Sequence, residues 1–199
     1  MPIDFNFMVG GEAGQGVQSV GFLLAKVFAC GGYHVFADQD YESRVRGGHN
    51  FFRVRVSNDK VGAIAEDVDV LIALDGDSIR LHKAEMASPG IIIFDGENIK
   101  GVSGNSGSLL SVPLDRMAEE KAGDKLMLNT VALGAALAAV SYDLDTLNTV
   151  LTDHFGSGEV GSRNVAAAKA GYDYVRSERK GKFGKIKPLS QPKRMLLTG

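Results

Sequence analysis

The chain of 199 residues has a single cysteine, Cys30. One thiol cannot form an internal disulfide, and it cannot supply the set of thiolates that holds an iron–sulfur cluster. We therefore interpret Cys30 as a buried core thiol. Long apolar runs are also missing, since no stretch reaches the roughly eighteen residues of a membrane span, and the first residues lack the basic-then-apolar layout of a signal peptide. These absences predict a cytoplasmic protein with no membrane partner.

The chain as a whole has no large excess of either charge, since its net charge is -2. The basic residues are nevertheless unevenly distributed along it. Residues 176–199, the basic tail, carry eight Lys and Arg against one acid. Such a tail can bind nucleic acid, but Phe183 is its one aromatic residue, and bases stack on aromatic side chains. We therefore predict no nucleic-acid partner and interpret the tail as a linker or an interface.

The hydrophobic pattern predicts one α/β domain with a mostly parallel, doubly wound (Rossmann-like) sheet, an inserted β-hairpin and a helical C-terminal part. Near-continuous apolar runs at 68–74 and 90–94 are typical of central strands covered on both faces. Alternation over 50–57, a turn at 58–59 and an apolar run at 61–64 predict the hairpin. The other predicted strands are 5–9, 34–37 and 109–112; the predicted helices are 17–29, 77–86, 127–140, 144–155 and 159–179; and the predicted helix caps are Asp75, Asp77, Asp115 and Asp143.

The stretch GGEAGQGVQS at residues 10–19 lies between the first predicted strand and the first predicted helix, where a phosphate-binding loop would lie. The spacing from Gly11 to Gly16 equals that of a Walker A loop. However, Val17 and Gln18 stand where that loop needs Lys and Ser or Thr. The sequence therefore argues against hydrolysis of a nucleoside triphosphate.

The same stretch comes within one residue of the dinucleotide-binding fingerprint, and Asp38 closes the second predicted strand where a ribose-binding acid is expected. Against this interpretation, four residues separate the predicted strand end from Gly14, and the Glu12 carboxylate would repel a diphosphate. A third interpretation is structural: the glycines allow a tight turn with positive φ and close packing of the helix on the sheet. The exposed amides of that helix would still attract an anion or a polar side chain, and Gln15 is placed for such a contact.

Residues 41–49 (YESRVRGGH) combine two guanidinium groups, a diglycine and an imidazole. The planar groups of Arg44 and Arg46 match carboxylate and phosphate, and a diglycine lets backbone amides approach the same anion, so the stretch is suited to anion binding. The alternative is a loop salt bridge between Arg46 and Glu42. The other histidines show no metal-ligand spacing, and we interpret them as structural or surface residues: His34, His82 and His154.

No stretch completes a catalytic motif. Ser157 lies in a Gly-Ser-Gly sequence before a helix, but no strand leads into it as a nucleophile elbow requires. Residues 74–78 and 94–98 contain Asp-Gly pairs without the Gly-Asp-Gly and asparagine pair of a thiamine-diphosphate signature. We therefore predict no catalytic residue and no metal site in this chain.

Taken together, GGEAGQGVQSVGFLLAKVF and DYESRVRGGHNFFRVRVS resemble the gamma subunit or domain of 2-oxoacid:ferredoxin oxidoreductases, the pyruvate and 2-oxoglutarate synthase group. The resemblance continues through DVDVLIALD and GIIIFDG to SRNVAAAKAGYDYV, and it implies a gamma-type domain over residues 1–180. In one branch of this family the gamma domain precedes the alpha domain in a single chain, and KRMLLTG is similar to the first strand of that alpha domain. The resemblance thus implies that 181–199 are a basic linker or the start of a further alpha domain.

The resemblance implies an enzyme that oxidatively decarboxylates a 2-oxoacid with coenzyme A (CoA), giving acyl-CoA, carbon dioxide and reduced ferredoxin. Thiamine diphosphate, magnesium and iron–sulfur clusters then belong to the alpha, beta and, where present, delta components, which are the expected partners and through which ferredoxin is reached. The chain by itself is expected to hold no cofactor, to be inactive, and to contribute assembly and a wall of the CoA site. The expected binding residues are Gly14, Gln15, Gly16, Arg44, Arg46, Gly47 and Gly48. Two alternatives stay open: a self-sufficient dinucleotide-binding oxidoreductase domain, and a module that serves assembly alone.

Overall fold

A computed structural model describes residues 3–41, 48–103, 108–178, 186–190 and 194. Its strands are β1 (Asp4–Glu12), β2 (His34–Tyr41), β3 (His49–Ser57), β4 (Val68–Ala73), β5 (Met86–Phe94) and β6 (Ser108–Ser111). Its helices are α1 (Val17–Cys30), α2 (Gly76–His82), α3 (Leu114–Ala122), α4 (Leu128–Ala139), α5 (Leu144–Phe155) and α6 (Glu159–Glu178), with short 3-10 turns at Lys83–Glu85 and Lys125–Met127. The six strands form one sheet in the order β2-β3-β1-β4-β5-β6.

Five of the six strands point in the same direction, and β3 is the exception. Strands β1, β4, β5 and β6 pair in parallel, whereas β3 is antiparallel to both β1 and β2. The predicted α/β class with a mostly parallel sheet and an inserted hairpin is confirmed. The predicted hairpin partner is wrong, because residues 61–64 form no strand and the hairpin consists of β2 and β3. Since β1 and β2 occupy both edges of β3, residues 61–64 have no strand edge to pair with there.

The sheet carries apolar side chains on both faces of its centre. Ile72 and Ile93 face the larger hydrophobic cluster, under α1 and α3–α6, whereas Leu71 and Ile92 face a smaller cluster that includes α2. Burial of both faces explains the near-continuous apolar runs of β4 and β5. Cys30, predicted to be a buried thiol, is only half-buried at the border of the larger cluster.

Helix α4 is the centre of the helical layer, because every residue from Thr130 to Ala139 is buried. A helix that is apolar on all sides must be covered on all sides. Helix α6 packs closely along it at two glycines: a Cβ atom on Gly134 would overlap the Ala168 carbonyl, and one on Gly171 would overlap the Val131 carbonyl. The predicted buried helix is thus confirmed.

Two of the predicted helix caps have the predicted geometry. The carboxylates of Asp143 and Asp75 each accept a hydrogen bond from the amide three residues further along, at the starts of α5 and α2. Asp77 is not a cap: it lies within the first turn of α2, where its negative charge interacts favourably with the helix dipole. The predicted cap Asp115 is wrong: α3 begins one residue earlier, and the Asp115 amide donates to Asp95 Oδ2 at 3.0 Å. A contact from the loop that follows β5, 20 positions away in the sequence, therefore helps to set where α3 starts.

The described residues of the basic tail beyond α6 pack against the C-terminal ends of α1 and α4. Ile186 is 1% exposed. The Leu189 amide donates to the Gly31 carbonyl at 2.8 Å, and the Arg194 amide donates to the Ala29 carbonyl at 3.0 Å. This end of α1 lies at the edge of the sheet opposite to the glycine-rich loop. That the tail leads into a further domain stays a prediction.

Candidate functional site

The glycine-rich loop lies beside the described end of the second unusual stretch, Gly48 and His49, at the carboxyl edge of the parallel strands. Strands β1 and β3 pair to their ends, with Glu12 opposite His49. The Ala13 amide then donates to the Gly48 carbonyl at 3.1 Å. We call residues 12–16, 48 and 49 the joined edge. Ligands of open α/β sheets bind at this side of the sheet.

The glycine-rich loop of the joined edge is held from within and from α4. Gly14 and Gly16 have positive φ angles of 94° and 79°, as the predicted tight turn requires. Gln15 Oε1 accepts from the Glu12 amide at 2.7 Å, and the Gln15 carbonyl accepts from Asn129 Nδ2 at 2.8 Å. A Cβ atom on Gly16 would overlap Asn129 Nδ2. The sequence did not reveal Asn129, because a contact across 114 positions leaves no local signal.

The N-terminus of α1 opens onto the first cleft, which has a volume of about 300 Å³. Gly16 is the N-cap of α1, no described side chain caps the helix, and its first turn carries no acidic residue. The first amides of a helix carry partial positive charge and bind anions. The walls of the cleft include Gly14, Gly16, Gln18, Tyr41, Asn50 and Phe51. This arrangement suits a phosphate at the helix end and a flat ring against the aromatic wall.

A second cleft, of about 410 Å³, lies on the other side of Glu12. Glu12 borders both clefts. The second cleft carries three carboxylates and one imidazole, so an anion fits the first cleft better. Its lining residues are Glu12, Gly48, His49, Asp75, Gly76 and Asp77.

Four of the predicted binding residues are described by the structure, and all four lie at the joined edge: Gly14, Gln15, Gly16 and Gly48. The other three, Arg44, Arg46 and Gly47, lie outside the described residues. The described neighbours of that segment, Tyr41 and Gly48, border the first and the second cleft. The part that each of the seven takes in binding stays a prediction.

The structure does not favour the dinucleotide-binding alternative. In folds that carry the dinucleotide-binding fingerprint, the first two strands are neighbours in the sheet, so that an acidic residue on the second strand reaches the ribose of the dinucleotide. Here β3 lies between β1 and β2, which separates them by about 10 Å. Asp38 lies inside β2, not at its end, and accepts from Arg53 at 2.9 and 2.6 Å; this hydrogen bonding raises the pKa of Arg53 against the effect of burial. The predicted four-residue gap before Gly14 was wrong, since β1 continues to Glu12 and only Ala13 separates it from Gly14.

Other site types are not found in the part of the chain that the structure describes. Among those residues, no group of three or more His, Cys, Asp or Glu side chains is arranged to hold a metal ion. None of the described helices combines the length and the apolar character needed to cross a bilayer. That the chain has no catalytic residue stays a prediction.

Comparison with known proteins gives consistent matches over most of the chain. The family model of pyruvate ferredoxin/flavodoxin oxidoreductase matches residues 6–174. The 2-oxoglutarate synthase subunit KorC of Archaeoglobus fulgidus is 27% identical, covering 92% of this chain and 94% of KorC. The ketoisovalerate oxidoreductase subunit VorA of Methanothermobacter thermautotrophicus is 30% identical, covering 88% of this chain and 37% of VorA. A 2-oxoacid:ferredoxin oxidoreductase subunit alpha of Aeropyrum pernix is 24% identical, covering 87% of this chain and 34% of that subunit. The chain thus spans about a third of the length of VorA and of the Aeropyrum pernix subunit, and nearly the whole length of KorC.

Two solved structures share the fold. A 2-oxoglutarate:ferredoxin oxidoreductase from Magnetococcus marinus, with 2-oxoglutarate, coenzyme A and succinyl-CoA bound, superposes with a TM-score of 0.85 at 24% identity over 95% of this chain and 34% of that chain. The gamma subunit of a keto/oxoacid ferredoxin oxidoreductase from Geobacter sulfurreducens PCA gives a TM-score of 0.76 at 19% identity over 87% of this chain and 99% of that chain. Because the family model covers residues 6–174, the chain belongs to the pyruvate ferredoxin/flavodoxin oxidoreductase family.

Proposed function

We propose that this chain is the gamma component of a thiamine-diphosphate-dependent 2-oxoacid:ferredoxin oxidoreductase. The complete enzyme converts a 2-oxoacid, CoA and oxidised ferredoxin into acyl-CoA, carbon dioxide and reduced ferredoxin. Three findings support the proposal: the family match, the relative KorC, which is named as a 2-oxoglutarate synthase subunit and matches along nearly its whole length, and the shared fold with an enzyme named with CoA bound. The proposed partners are the alpha and beta components, with a delta component where one is present.

The redox and thiamine chemistry is assigned to those partners, because this chain's residues do not fit the cofactors. An iron–sulfur cluster needs several thiolates, and the sequence has Cys30 alone. Thiamine diphosphate is held through a magnesium ion, and the described residues show no group of three or more His, Cys, Asp or Glu side chains arranged to hold a metal ion. The proposed contribution of this chain is therefore assembly with the partners and binding of CoA.

The observation that carries the CoA assignment is the hydrogen bond between the Ala13 amide and the Gly48 carbonyl. It joins Gly48, the end of the Arg-Gly-Gly sequence and a wall of the second cleft, to the glycine-rich loop that leads into the open N-terminus of α1 at the first cleft. CoA offers phosphates to helix amides and guanidinium groups, and an adenine ring to an aromatic side chain. Tyr41, which is 50% exposed at the first cleft, is such a side chain. The proposed binding set is Gly14, Gln15, Gly16, Arg44, Arg46, Gly47 and Gly48.

Steady-state kinetics of the assembled enzyme test this assignment with Arg46→Ala. We expect the KM for CoA to rise about tenfold to a hundredfold, since a charge-assisted hydrogen bond contributes about 1.5–3 kcal/mol. Arg44→Ala should act in the same direction. The KM for the 2-oxoacid should not change. Arg163→Ala is the matched control, because that guanidinium pairs with Glu159 on the exposed side of α6.

The two alternatives give different outcomes in the same experiments. An unchanged KM for CoA in both arginine variants contradicts the CoA assignment. Loss of assembly with unchanged kinetics of the remaining complex supports a module that serves assembly alone. Micromolar binding of NAD, NADP or FAD to the purified chain supports the dinucleotide-binding alternative.

A further inference from the structure

Two histidines from different elements meet directly behind the joined edge. His49 is the first residue of β3 and His82 is the last residue of α2, and their Nε2 atoms are 2.7 Å apart. The other ring nitrogen of His82, Nδ1, lies 2.9 Å from Glu85 Oε1. His82 is 5% exposed, and the Phe51 ring meets it edge-on with ring centroids 5.0 Å apart. A carboxylate–imidazole–imidazole chain, with the buried His82 between an exposed Glu85 and a partly buried His49, therefore connects the 3-10 turn after α2 with the start of β3.

Close packing of three elements brings the two rings together. Gly10 in β1 leaves the space, since a Cβ atom there would lie 2.8 Å from Ser78 Oγ and 3.4 Å from His49 Cε1. Ser78 is held in turn, because its hydroxyl donates to Asp75 Oδ1 at 2.7 Å. Helix α2 thus lies directly against β1 and β3. The contact between the histidines is thus partly buried: His82 is covered by its neighbours, whereas His49 also lines the second cleft.

The geometry limits how many protons the two rings can carry. With Glu85 ionised, His82 Nδ1–H donates to the carboxylate. When neither ring is charged, His49 Nε2–H donates to the lone pair of His82 Nε2 and the contact is a hydrogen bond. When His82 carries a charge, its Nε2–H donates to His49 Nε2 instead. With both rings charged, both Nε2 atoms carry a proton and neither has a lone pair left to accept. A second proton therefore breaks the contact.

The charges that face the pair are mainly negative. On the described elements around it, Glu12 on β1 and Asp75 and Asp77 on α2 line the second cleft together with His49, and Glu85 in the 3-10 turn contacts His82. Arg53 on β3 interacts with Glu85 and with Asp38 and Asp40 on β2. Arg53 is itself paired with Asp38. These carboxylates compensate one positive charge on the two rings, whereas two positive charges would face each other at 2.7 Å.

We propose that His82 is a positioning residue for the Gly48 end of the joined edge. Through His49 it holds the start of β3 against α2, and a second proton on the pair releases this hold. The inference rests on the proposed function, because Gly48 belongs to the proposed CoA-binding set. The expected consequence in the enzyme is a KM for CoA that rises at acid pH, while the KM for the 2-oxoacid does not follow it.

Hydrogen exchange of the Ala13 amide in the full chain tests the positioning role without CoA. This amide donates to the Gly48 carbonyl, so it is protected while the hold is intact. His82→Ala should lower the Ala13 protection factor about tenfold at neutral pH, and the unmodified chain should lose protection similarly at an acid pH where the pair takes up its second proton. His82→Gln should keep the protection at both pH values, because the glutamine amide can donate to or accept from His49 and never becomes charged.

The matched control for these variants is His34→Gln. His34 lies at the start of β2, at the opposite end of the sheet, and its replacement should leave the Ala13 protection unchanged at both pH values. Where His82→Ala does not fold, His82→Gln decides alone: loss of its Ala13 protection at low pH, as in the unmodified chain, overturns the proposal. Unchanged protection in a folded His82→Ala variant overturns it as well.

Kinetics of the assembled enzyme separate this inference from the proposed function. His82→Ala should raise the KM for CoA several-fold, by about 1 kcal/mol in binding free energy, and His82→Gln should remove the rise at low pH. If Ala13 exchange responds as expected but the KM for CoA does not, the positioning role is supported and the CoA contact at the joined edge is contradicted. If neither responds, the positioning role itself is overturned.

Discussion

Gly16→Ala tests how closely the glycine-rich loop is fitted to α4. At a φ of 79°, an L residue costs about 1–2 kcal/mol. The new Cβ atom would also overlap Asn129 Nδ2, which donates to the Gln15 carbonyl, and displacing that amide loses about 0.5–1.5 kcal/mol. The expected loss of unfolding free energy is therefore about 2–3 kcal/mol, or roughly 5–10 °C in Tm for a chain of this length.

Gly14→Ala is the matched control for this prediction. Gly14 also has positive φ, but a Cβ atom there meets no described atom within 4 Å. Only the backbone cost of about 1–2 kcal/mol is expected. Urea unfolding should therefore rank Gly16→Ala below Gly14→Ala, and Asn129→Ala combined with Gly16→Ala should cost less than the sum of the single variants. Equal losses for the two glycine variants, or strict additivity of the pair, would refute the overlap.

Three further predictions concern stability. Gly171→Ala should cost about 1–3 kcal/mol, because its Cβ atom would overlap the Val131 carbonyl and push α4 and α6 apart. Gly62→Ala, at an open loop position, should leave the urea midpoint unchanged, and equal losses would contradict the packing argument. Burial raises the pKa of the Asp69 carboxyl, so the charged carboxylate opposes folding above that pKa. Asp69→Asn should therefore add more unfolding free energy at about pH 7 than at about pH 4, and a larger gain at about pH 4 would contradict this reasoning. Burial also raises the pKa of Tyr142, whose hydroxyl has no partner among the described residues, so Tyr142→Phe should be neutral or stabilising in thermal unfolding, and a loss above about 1 kcal/mol would contradict this.

The parts of the fold that the sequence predicted correctly are those that burial decides. The apolar runs of β4 and β5 and the uncharged α4 admit few other placements in a soluble domain. The pattern at 61–64 was misleading because a local pattern does not show whether a strand edge is free, and both edges of β3 are occupied. The start of α3 was missed for a similar reason, since Asp95 reaches it from a distant loop.

The candidate site divides in the same way. The positive φ angles of Gly14 and Gly16 were predictable, because glycine alone adopts them without strain. The contacts of Asn129 with the loop and of His82 with His49 were not, since they join residues 114 and 33 positions apart. Nothing in a local pattern specifies which side chain of a distant helix will meet a loop.

The anchored tail offers an attachment point for spectroscopic probes. The described tail residues contact the C-terminal end of α1, about 20 Å along the helix axis from the end that opens onto the first cleft. Ser190 is exposed there, and Cys30 is the single native thiol. A Ser190→Cys variant with Cys30 replaced would carry a fluorophore, or a covalent link to a sensor chip, near the end of α1 that lies away from the first cleft. Energy transfer or surface-bound titration would then report occupancy of the cleft without obstructing its mouth.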